Sequence, residues 1–206
     1  MLKIWGRQNS TNVRKVLWCA EEAGVAYQSI NAGGAFGLVH DAQYRAKNPN
    51  GLIPMIEDDD LVLWESNAIV RYLAARYAPG SLYPESAVQR AASEQWMDWV
   101  SSCLIDPFSD VFVGTVRTPP EQRDHRLMAG ALERCVELLA IPEKVLASRP
   151  YLSGEAFAMG DIPLGCIAYA WFEMPIVRPE LPHLAAWYQR LRDRPAYRRG
   201  VMTPLT

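Results

Sequence analysis

Residues 48–69 read NPNGLIPMIEDDDLVLWESNAI, and this segment carries the most specific structural pattern in the chain. It begins with a strong turn signal at Asn48–Gly51. A strand, an acidic turn, a second strand and a helix then follow in the order Pro54–Glu57, Asp58–Asp60, Leu61–Trp64 and Ser66–Tyr77. The acidic turn lacks the glycine that tight hairpins favour, so we expect one aspartate to adopt a positive φ angle. The segment therefore predicts a β-hairpin that leads into a helix.

The residues before this segment alternate between strand and helix patterns. Leu2–Trp5 and Val25–Ile30 read as strands, and the residues between them are apolar at helical spacing, at Val13, Val16, Leu17 and Ala20. Gly24 is expected to end that helix, and a short polar helix is expected near residues 41–46. Together with the hairpin, this order predicts a small α/β domain.

A segment rich in proline and glycine divides the chain. It covers residues 79–85 and predicts a linker between an α/β domain at 1–78 and an all-α domain at 86–206. In the second domain, we expect Pro107 to bend or break the first long helix, because proline removes a helical hydrogen bond.

Three further helices are expected in the second domain. The pair Pro119-Pro120 should open the next helix, since proline fits the first helical positions. Ile162–Phe172 is short and almost wholly apolar, which predicts a buried central helix. A last helix is expected over Leu184–Arg192, closed by Arg194-Pro195.

The composition is typical of a globular protein. The chain has 206 residues, of which 50% are hydrophobic and 21% are charged. The net charge of −2 offers no basic excess to a nucleic-acid backbone. No apolar run is long enough to span a membrane, and the first residues lack the apolar stretch of a signal peptide. We therefore expect a cytoplasmic protein without nucleic-acid or membrane partners.

The cysteines and histidines show no spacing that metal ligands would need, so no metal is expected. The four cysteines are far apart and lie in apolar helical surroundings. In a reducing compartment they are expected to be free thiols that act as small core residues, at Cys19, Cys103, Cys135 and Cys166.

Three polar features could hold a ligand. Ser10 and Asn12 lie at the expected start of the first helix, where the helix N-terminus favours an anion such as a thiolate. A cis bond after Ile53 would leave its backbone free to pair with an extended peptide. Glu65 and Ser66 start the helix after the hairpin, where they could meet an ammonium group and a carboxylate. Helix capping and strand termination explain each feature alone, whereas a peptide with a central thiol and a terminal α-amino acid, such as glutathione, would use all three.

Three motifs resemble those of soluble glutathione transferases. They are Asn48–Pro54, Glu65–Ile69 and Phe157–Ile162, and the ending Trp187–Leu191 with Arg194-Pro195 is also similar. The resemblance covers essentially the whole chain and is closest to the bacterial theta-like branch, which uses a serine. It implies a thioredoxin-like α/β N-terminal domain, an all-α C-terminal domain, a homodimer, and glutathione as co-substrate.

The resemblance also implies which residues bind glutathione. The bond between Ile53 and Pro54 would be cis, and Ile53 would pair with the cysteinyl backbone of glutathione. Glu65 and Ser66 would hold its γ-glutamyl end. His40 lies near a further glutathione-contacting position, where a plain surface histidine is the alternative.

For catalysis, the resemblance places Ser10 at the position whose hydroxyl contacts the sulfur, and Asn12 could donate to the sulfur as well. The loop contains no tyrosine or cysteine, and Cys19 lies too far along the helix to reach its start. A small hydrophobic electrophile would rest against the helical domain. Its expected contacts, for which ordinary core packing is the alternative, are Phe36, Phe108, Val111 and Phe112.

Two other functions use the same fold. A glutathione-dependent peroxidase or disulfide reductase would use the same site, and a non-catalytic binding protein would keep only the fold. A nucleotide-binding protein is disfavoured because Gly33–Gly37 does not fit the glycine pattern that binds phosphates. The chain also departs from the family at Ala158, where the central helix usually begins with Ser or Thr. Asp161 alone remains to bond the backbone at that helix start.

Overall fold

Four short strands form one mixed sheet in the computed structural model, which describes residues 1–206. The strands are β1 (Leu2–Trp5), β2 (Tyr27–Ile30), β3 (Met55–Asp58) and β4 (Leu61–Trp64). Their order in the sheet is β2-β1-β3-β4, with β1 parallel to β2 and antiparallel to β3. The antiparallel β3–β4 pair confirms the predicted hairpin, and Asp59 has the expected positive φ, at 52°.

Nine α-helices accompany the sheet. Those of the first half are α1 (Thr11–Glu22), α2 (Ala42–Lys47) and α3 (Ser66–Tyr77). Those of the second half are α4 (Ala87–Trp99), α5 (Ile105–Phe112), α6 (His125–Leu146), α7 (Ile162–Glu173), α8 (Pro182–Arg192) and α9 (Pro195–Gly200). The predicted α/β half and helical half are therefore both present. The bounds predicted for the linker stay a prediction.

Helix α7 lies at the centre of the helical half, as its composition predicts. Its residues from Ile162 to Ala168 are all buried, because the helix is apolar on every side. At its start, the Asp161 carboxylate accepts a hydrogen bond from the backbone N–H of Ala158, at 3.3 Å. It also accepts from the indole N–H of Trp187, at 2.9 Å. Asp161 therefore ties the start of α7 to α8.

Two expectations based on proline are wrong. Pro107 does not break the helical path, because π-helical turns at Val100–Leu104 and Val113–Arg117 flank α5 and keep the chain helical. Pro119-Pro120 does not open α6. That helix begins after Asp124, whose carboxylate caps it by accepting the N–H groups of Arg126 and Leu127. Helix α8 ends at Arg192, as expected, but it is not the last helix. Pro195 starts α9, at the first helical position that proline favours.

Helix α1 joins the two halves through one continuous core of 45 buried residues. The fully buried ring of Trp18 meets the ring of Tyr197 of α9 edge to face, with 4.7 Å between ring centroids and 75° between the ring planes. A Cβ on Gly165 of α7 would lie 2.5 Å from that ring, and a Cβ on Gly200 would lie 2.7 Å from the Trp18 backbone. Only glycine therefore lets α7 and α9 approach α1 this closely.

Two arginine–glutamate contacts reinforce the same junction. The guanidinium of Arg194 donates to both carboxylate oxygens of Glu22, at 2.6 and 2.7 Å. Arg199 pairs with Glu21, the neighbouring residue of α1. The C-terminal end of α1 is thereby fixed to the helical half. None of the helices is long and apolar enough to cross a membrane.

Candidate functional site

Ser10 precedes the first turn of α1 and lies at the junction of the two halves. Its backbone is extended, with φ −84° and ψ 126°, and its carbonyl accepts the N–H of Arg14, so it is the N-cap that the sequence predicts. Its hydroxyl makes no capping hydrogen bond. The hydroxyl and the unpaired N–H groups of the first turn are therefore available to an anion.

A cavity of about 180 Å³ opens beside Ser10. Its walls come from the start of α1 and from α5, where Phe108 and Phe112 are one helical turn apart and stack with 6.0 Å between ring centroids. Two more expected wall residues lie elsewhere. Val111 is buried in the core because it occupies a different face of α5, and Phe36 is 52% exposed and lines a separate surface cavity.

A second cavity, of about 120 Å³, lies between α1, the turn before β3 and the start of α3. It brings the pair Ile53-Pro54 together with the pair Glu65-Ser66, which lies on the other side of the hairpin in the sequence. Asn12 borders both cavities. The bond between Ile53 and Pro54 is cis, as the resemblance implies. The N–H and C=O groups of Ile53 make no hydrogen bond to other backbone groups of the chain. They could therefore pair with an extended peptide.

Helix α3 covers Ser66–Tyr77, the range that the sequence predicts. The N-cap is Glu65, which has a positive φ of 72°, a conformation that is costly for a residue with a side chain. Ser66 is the first helical residue and does not cap the helix. Its hydroxyl instead lies 3.3 Å from Oδ1 of Asn12 and 3.4 Å from Nζ of Lys15.

Lys15 is the residue of this site that the sequence analysis missed. Its side chain is almost fully buried, and no carboxylate lies within ion-pair distance. Burial lowers the pKa of the Lys15 ammonium from 10.5 to about 8, although the negative charge of Glu65 partly opposes this shift. The only available signal is its position between the apolar residues Val13 and Val16 of a buried helix.

The contacts of Lys15 determine how the Ser66 hydroxyl is oriented. An ammonium group only donates hydrogen bonds, so it occupies a lone pair of Ser66 Oγ. The hydroxyl proton must then point to another acceptor, which is Oδ1 of Asn12 within the chain. A carboxylate bound in the cavity of about 120 Å³ could take the same proton and release Asn12. The contacts thus link the two cavities through Asn12.

His40 and the cysteines lie outside these cavities. His40 is exposed in the turn before α2, where its Nδ1 lies 3.3 Å from Nη2 of Arg45. Burial raises the pKa of the Cys135 and Cys166 thiols to about 12, so neither forms a thiolate near neutral pH. Cys103 is exposed, contrary to the expected core position, because it lies on the solvent side of a π-helical turn. No group of three or more His, Cys, Asp or Glu side chains could hold a metal ion.

Two family models match the chain. Residues 1–75 match "Glutathione S-transferase, N-terminal domain", and residues 95–195 match "Glutathione S-transferase, C-terminal domain". The glutathione S-transferase GstB of Escherichia coli strain K12 is 45% identical over 208 residues, and both chains are covered completely. Glutathione S-transferase 4 of Zea mays is 30% identical over 199 residues, which covers 95% of this chain and 89% of the maize protein.

Solved structures show the same similarity. A theta class glutathione S-transferase from the citrus canker pathogen Xanthomonas axonopodis pv. citri, with glutathione bound, superposes with a TM-score of 0.97. It is 63% identical, and the match covers 100% of this chain and 99% of that chain. Glutathione transferase F7 from Populus trichocarpa has a TM-score of 0.89 at 26% identity, with 98% of each chain covered.

Proposed function

Because the chain belongs to the glutathione S-transferase family and is a transferase that uses glutathione, we propose that Ser10 and the N-terminus of α1 activate the glutathione thiol. The observation that carries the proposal is the free hydroxyl of Ser10 at this helix start. Asn12 supports it from the same turn, since it borders both cavities and its amide nitrogen donates no hydrogen bond within the chain. The thiol would lie where the two cavities meet.

Glutathione would bind with its peptide extended across the cavity of about 120 Å³. The backbone of Ile53 would pair with the cysteinyl residue, because its N–H and C=O are free. Glu65 would meet the ammonium group of the γ-glutamyl end, and the Ser66 hydroxyl would donate to its carboxylate. The exposed position of His40 gives that residue a contact with glutathione only at the edge of the site.

The energy required for thiolate formation is within the reach of these groups. A free thiol has a pKa of ~8.5, and lowering it by ~2 units requires ~2.7 kcal/mol of preference for the anion. A helix N-terminus contributes ~0.3–1 kcal/mol and up to ~2 in partly buried sites. A hydrogen bond to a charged group contributes ~1.5–3 kcal/mol. Ser10 and α1 are therefore sufficient without a general base.

The thiolate would attack an electrophilic carbon of a small second substrate lying against Phe108 and Phe112. The sulfur–carbon bond forms as the leaving group departs, and the thiol proton passes to solvent. Membership of the family also supports a cytoplasmic homodimer as the functional form. Light scattering of the purified protein tests the dimer directly.

The test of the proposed chemistry is a pH titration of the ultraviolet absorbance of thiolate in bound glutathione. We expect a midpoint well below the ~8.5 of a free thiol. A midpoint equal to that of free glutathione would contradict the proposal. Turnover with a chloro-nitroaromatic, an organic peroxide and a disulfide then separates the transferase from the peroxidase and reductase activities that share the site.

A further inference from the structure

The cavity beside Ser10 has an unbalanced charge. Two of the residues that line it are arginines, Arg7 before α1 and Arg117 after α5, and none is an aspartate or a glutamate. The chain as a whole has a net charge of −2, so a cationic cavity is a local feature and does not follow from the overall composition. The same cavity holds the Ser10 hydroxyl and the rings of Phe108 and Phe112.

Neither arginine forms an ion pair with an aspartate or a glutamate. Nη1 of Arg7 donates to Oδ1 of Asn9 at 2.8 Å. Nε and Nη2 of Arg117 donate to the main-chain oxygen of Thr206, at 3.2 and 3.1 Å. Thr206 is the last residue, so a terminal carboxylate there offsets part of the Arg117 charge, whereas Arg7 has only an uncharged partner. The Arg117 guanidinium also lies 5.0 Å from the centroid of the Phe112 ring. By contrast, Arg71, Arg76 and Arg194 each pair with the side chain of an aspartate or a glutamate.

The two arginines line the same cavity, and their like charges disfavour each other. Burial lowers the pKa of Arg117, and the positive charge of Arg7 lowers it further. Like charges that face one small cavity favour an anion between them, because the anion relieves their repulsion. Guanidinium groups bind carboxylates and other oxyanions in particular, since their parallel N–H donors match the two oxygens.

We propose that the second substrate is an electrophile that carries a carboxylate or a comparable oxyanion, held by Arg7 and Arg117. Its apolar part lies against Phe108 and Phe112, and its reactive carbon faces the sulfur at Ser10. This inference rests on the proposed function, because it assigns the second substrate to the cavity in which Ser10 activates glutathione. It replaces a purely hydrophobic electrophile with one that has both a charged and an apolar part.

Two matched electrophiles test the inference with the full-length protein. They are para-chloro-dinitrobenzoate, which is anionic, and para-chloro-dinitrobenzamide, which is neutral and nearly the same shape. With either one, the glutathione sulfur bonds to the ring carbon, the carbon–chlorine bond breaks, chloride leaves, and the thiol proton passes to solvent. Each kcat/KM is divided by the rate of the uncatalysed reaction with glutathione, and the ratio of the two results defines the anion preference.

We expect the wild-type protein to prefer the benzoate. Arg7→Gln and Arg117→Gln should each reduce the anion preference by about tenfold, which corresponds to ~1.4 kcal/mol. The matched control is Arg134→Gln, which removes the same charge from an exposed position on α6 and should leave the preference unchanged. Added salt should reduce the rate with the benzoate more than the rate with the benzamide, because it screens charge.

Three results would overturn the inference. Equal preference in the wild type and both site variants would show that the arginines do not select the electrophile. A loss of glutathione affinity in Arg7→Gln or Arg117→Gln, measured by calorimetry, would show that the arginines hold glutathione instead. In both cases the benzamide is still conjugated, so the proposed function stands. Conjugation of neither electrophile would overturn both proposals.

Discussion

The ammonium nitrogen of Lys15 lies 3.4 Å from Oγ of Ser66, and both side chains are buried. The Lys15 ammonium has no carboxylate partner within the chain. The Ser66 hydroxyl that it contacts is the group that we expect to meet the γ-glutamyl carboxylate of glutathione. Burial makes this charge unfavourable in the free protein. A bound carboxylate would compensate for it, because opposite charges at short distance attract strongly in a buried site. The contact therefore predicts opposite effects of Lys15 on stability and on binding.

Lys15→Met should stabilise the free protein at neutral pH and weaken its binding of glutathione. The folded-state pKa of about 8 lies below the ordinary value of 10.5, so the unfolded chain binds more protons between these two values. The free energy of unfolding of the wild type should consequently rise as the pH increases from 8 to 10.5, and this rise should be absent in Lys15→Met. At neutral pH we expect a gain of ~1–3 kcal/mol. Urea unfolding across this range, with calorimetry of glutathione binding, provides the measurement, and identical pH profiles would exclude the role of Lys15.

Ser66→Ala should reduce the affinity for glutathione with less effect on the chemical step. The variant removes one hydrogen bond to a carboxylate, worth ~1.5–3 kcal/mol, or about tenfold or more in affinity. Glutathione whose γ-glutamyl carboxylate is converted to an amide serves as the control ligand, and its affinity should change much less. Calorimetry that finds equal glutathione affinities for the wild type and Ser66→Ala would remove Ser66 from the binding site.

Ser10→Ala should raise the pKa of bound glutathione and lower kcat at neutral pH, while glutathione affinity stays within a few-fold. The reason is that, in the proposed binding mode, Ser10 meets only the sulfur and the other cavity holds the peptide. Loss of a charge-assisted hydrogen bond corresponds to a pKa increase of ~1–2 units. Thiolate absorbance and steady-state kinetics provide the measurements, with Thr11→Val as the matched control. If conjugation is unaffected in Ser10→Ala, the role belongs to Thr11 or Asn12.

Ala158→Ser should stabilise the protein without changing its activity. Alanine has no acceptor for the amides of the helix start, and the N–H of Gly160 makes no hydrogen bond. A serine hydroxyl at this position can accept a hydrogen bond from the N–H of Gly160. The expected gain in the free energy of unfolding is ~1 kcal/mol, or about 2–4 °C in melting temperature. Calorimetric melting of both proteins measures the difference. An unchanged or lower melting temperature would indicate that the buried surroundings of Ala158 have no room for the hydroxyl.

The sequence predicts the elements well and their ends less well. Periodicity identifies α1 and α3, because each has an apolar face at helical spacing, and an almost wholly apolar segment identifies α7. Helix α3 has its predicted bounds, but its N-cap is Glu65, whose positive φ the sequence does not indicate. The rule that proline breaks helices fails at Pro107, because the π-helical turn before it depends on tertiary packing that the sequence does not reveal.

The candidate site depends on the resemblance for its overall plan and on the structure for its details. The motifs around Pro54 and Glu65 suffice to predict that these residues meet at one site, and they do line one cavity. Lys15 is missed because a charged residue within an apolar helix gives no indication of its partner. The positive charge of the cavity beside Ser10 is missed because Arg7 and Arg117 are far apart in the sequence and only the fold brings them to one cavity.

Helix α1 carries Ser10 at one end and Trp18 in its middle, where only glycine fits opposite it at positions 165 and 200. Recombination that exchanges the helical half between relatives will therefore preserve activity only when the incoming helices have glycine at the same places. Otherwise α1 would shift, and Ser10 with it. Point substitutions on α5 leave these two glycine contacts with α1 unchanged. Divergence of electrophile specificity in this lineage should consequently proceed through the walls of the cavity, while the junction around Trp18 changes slowly.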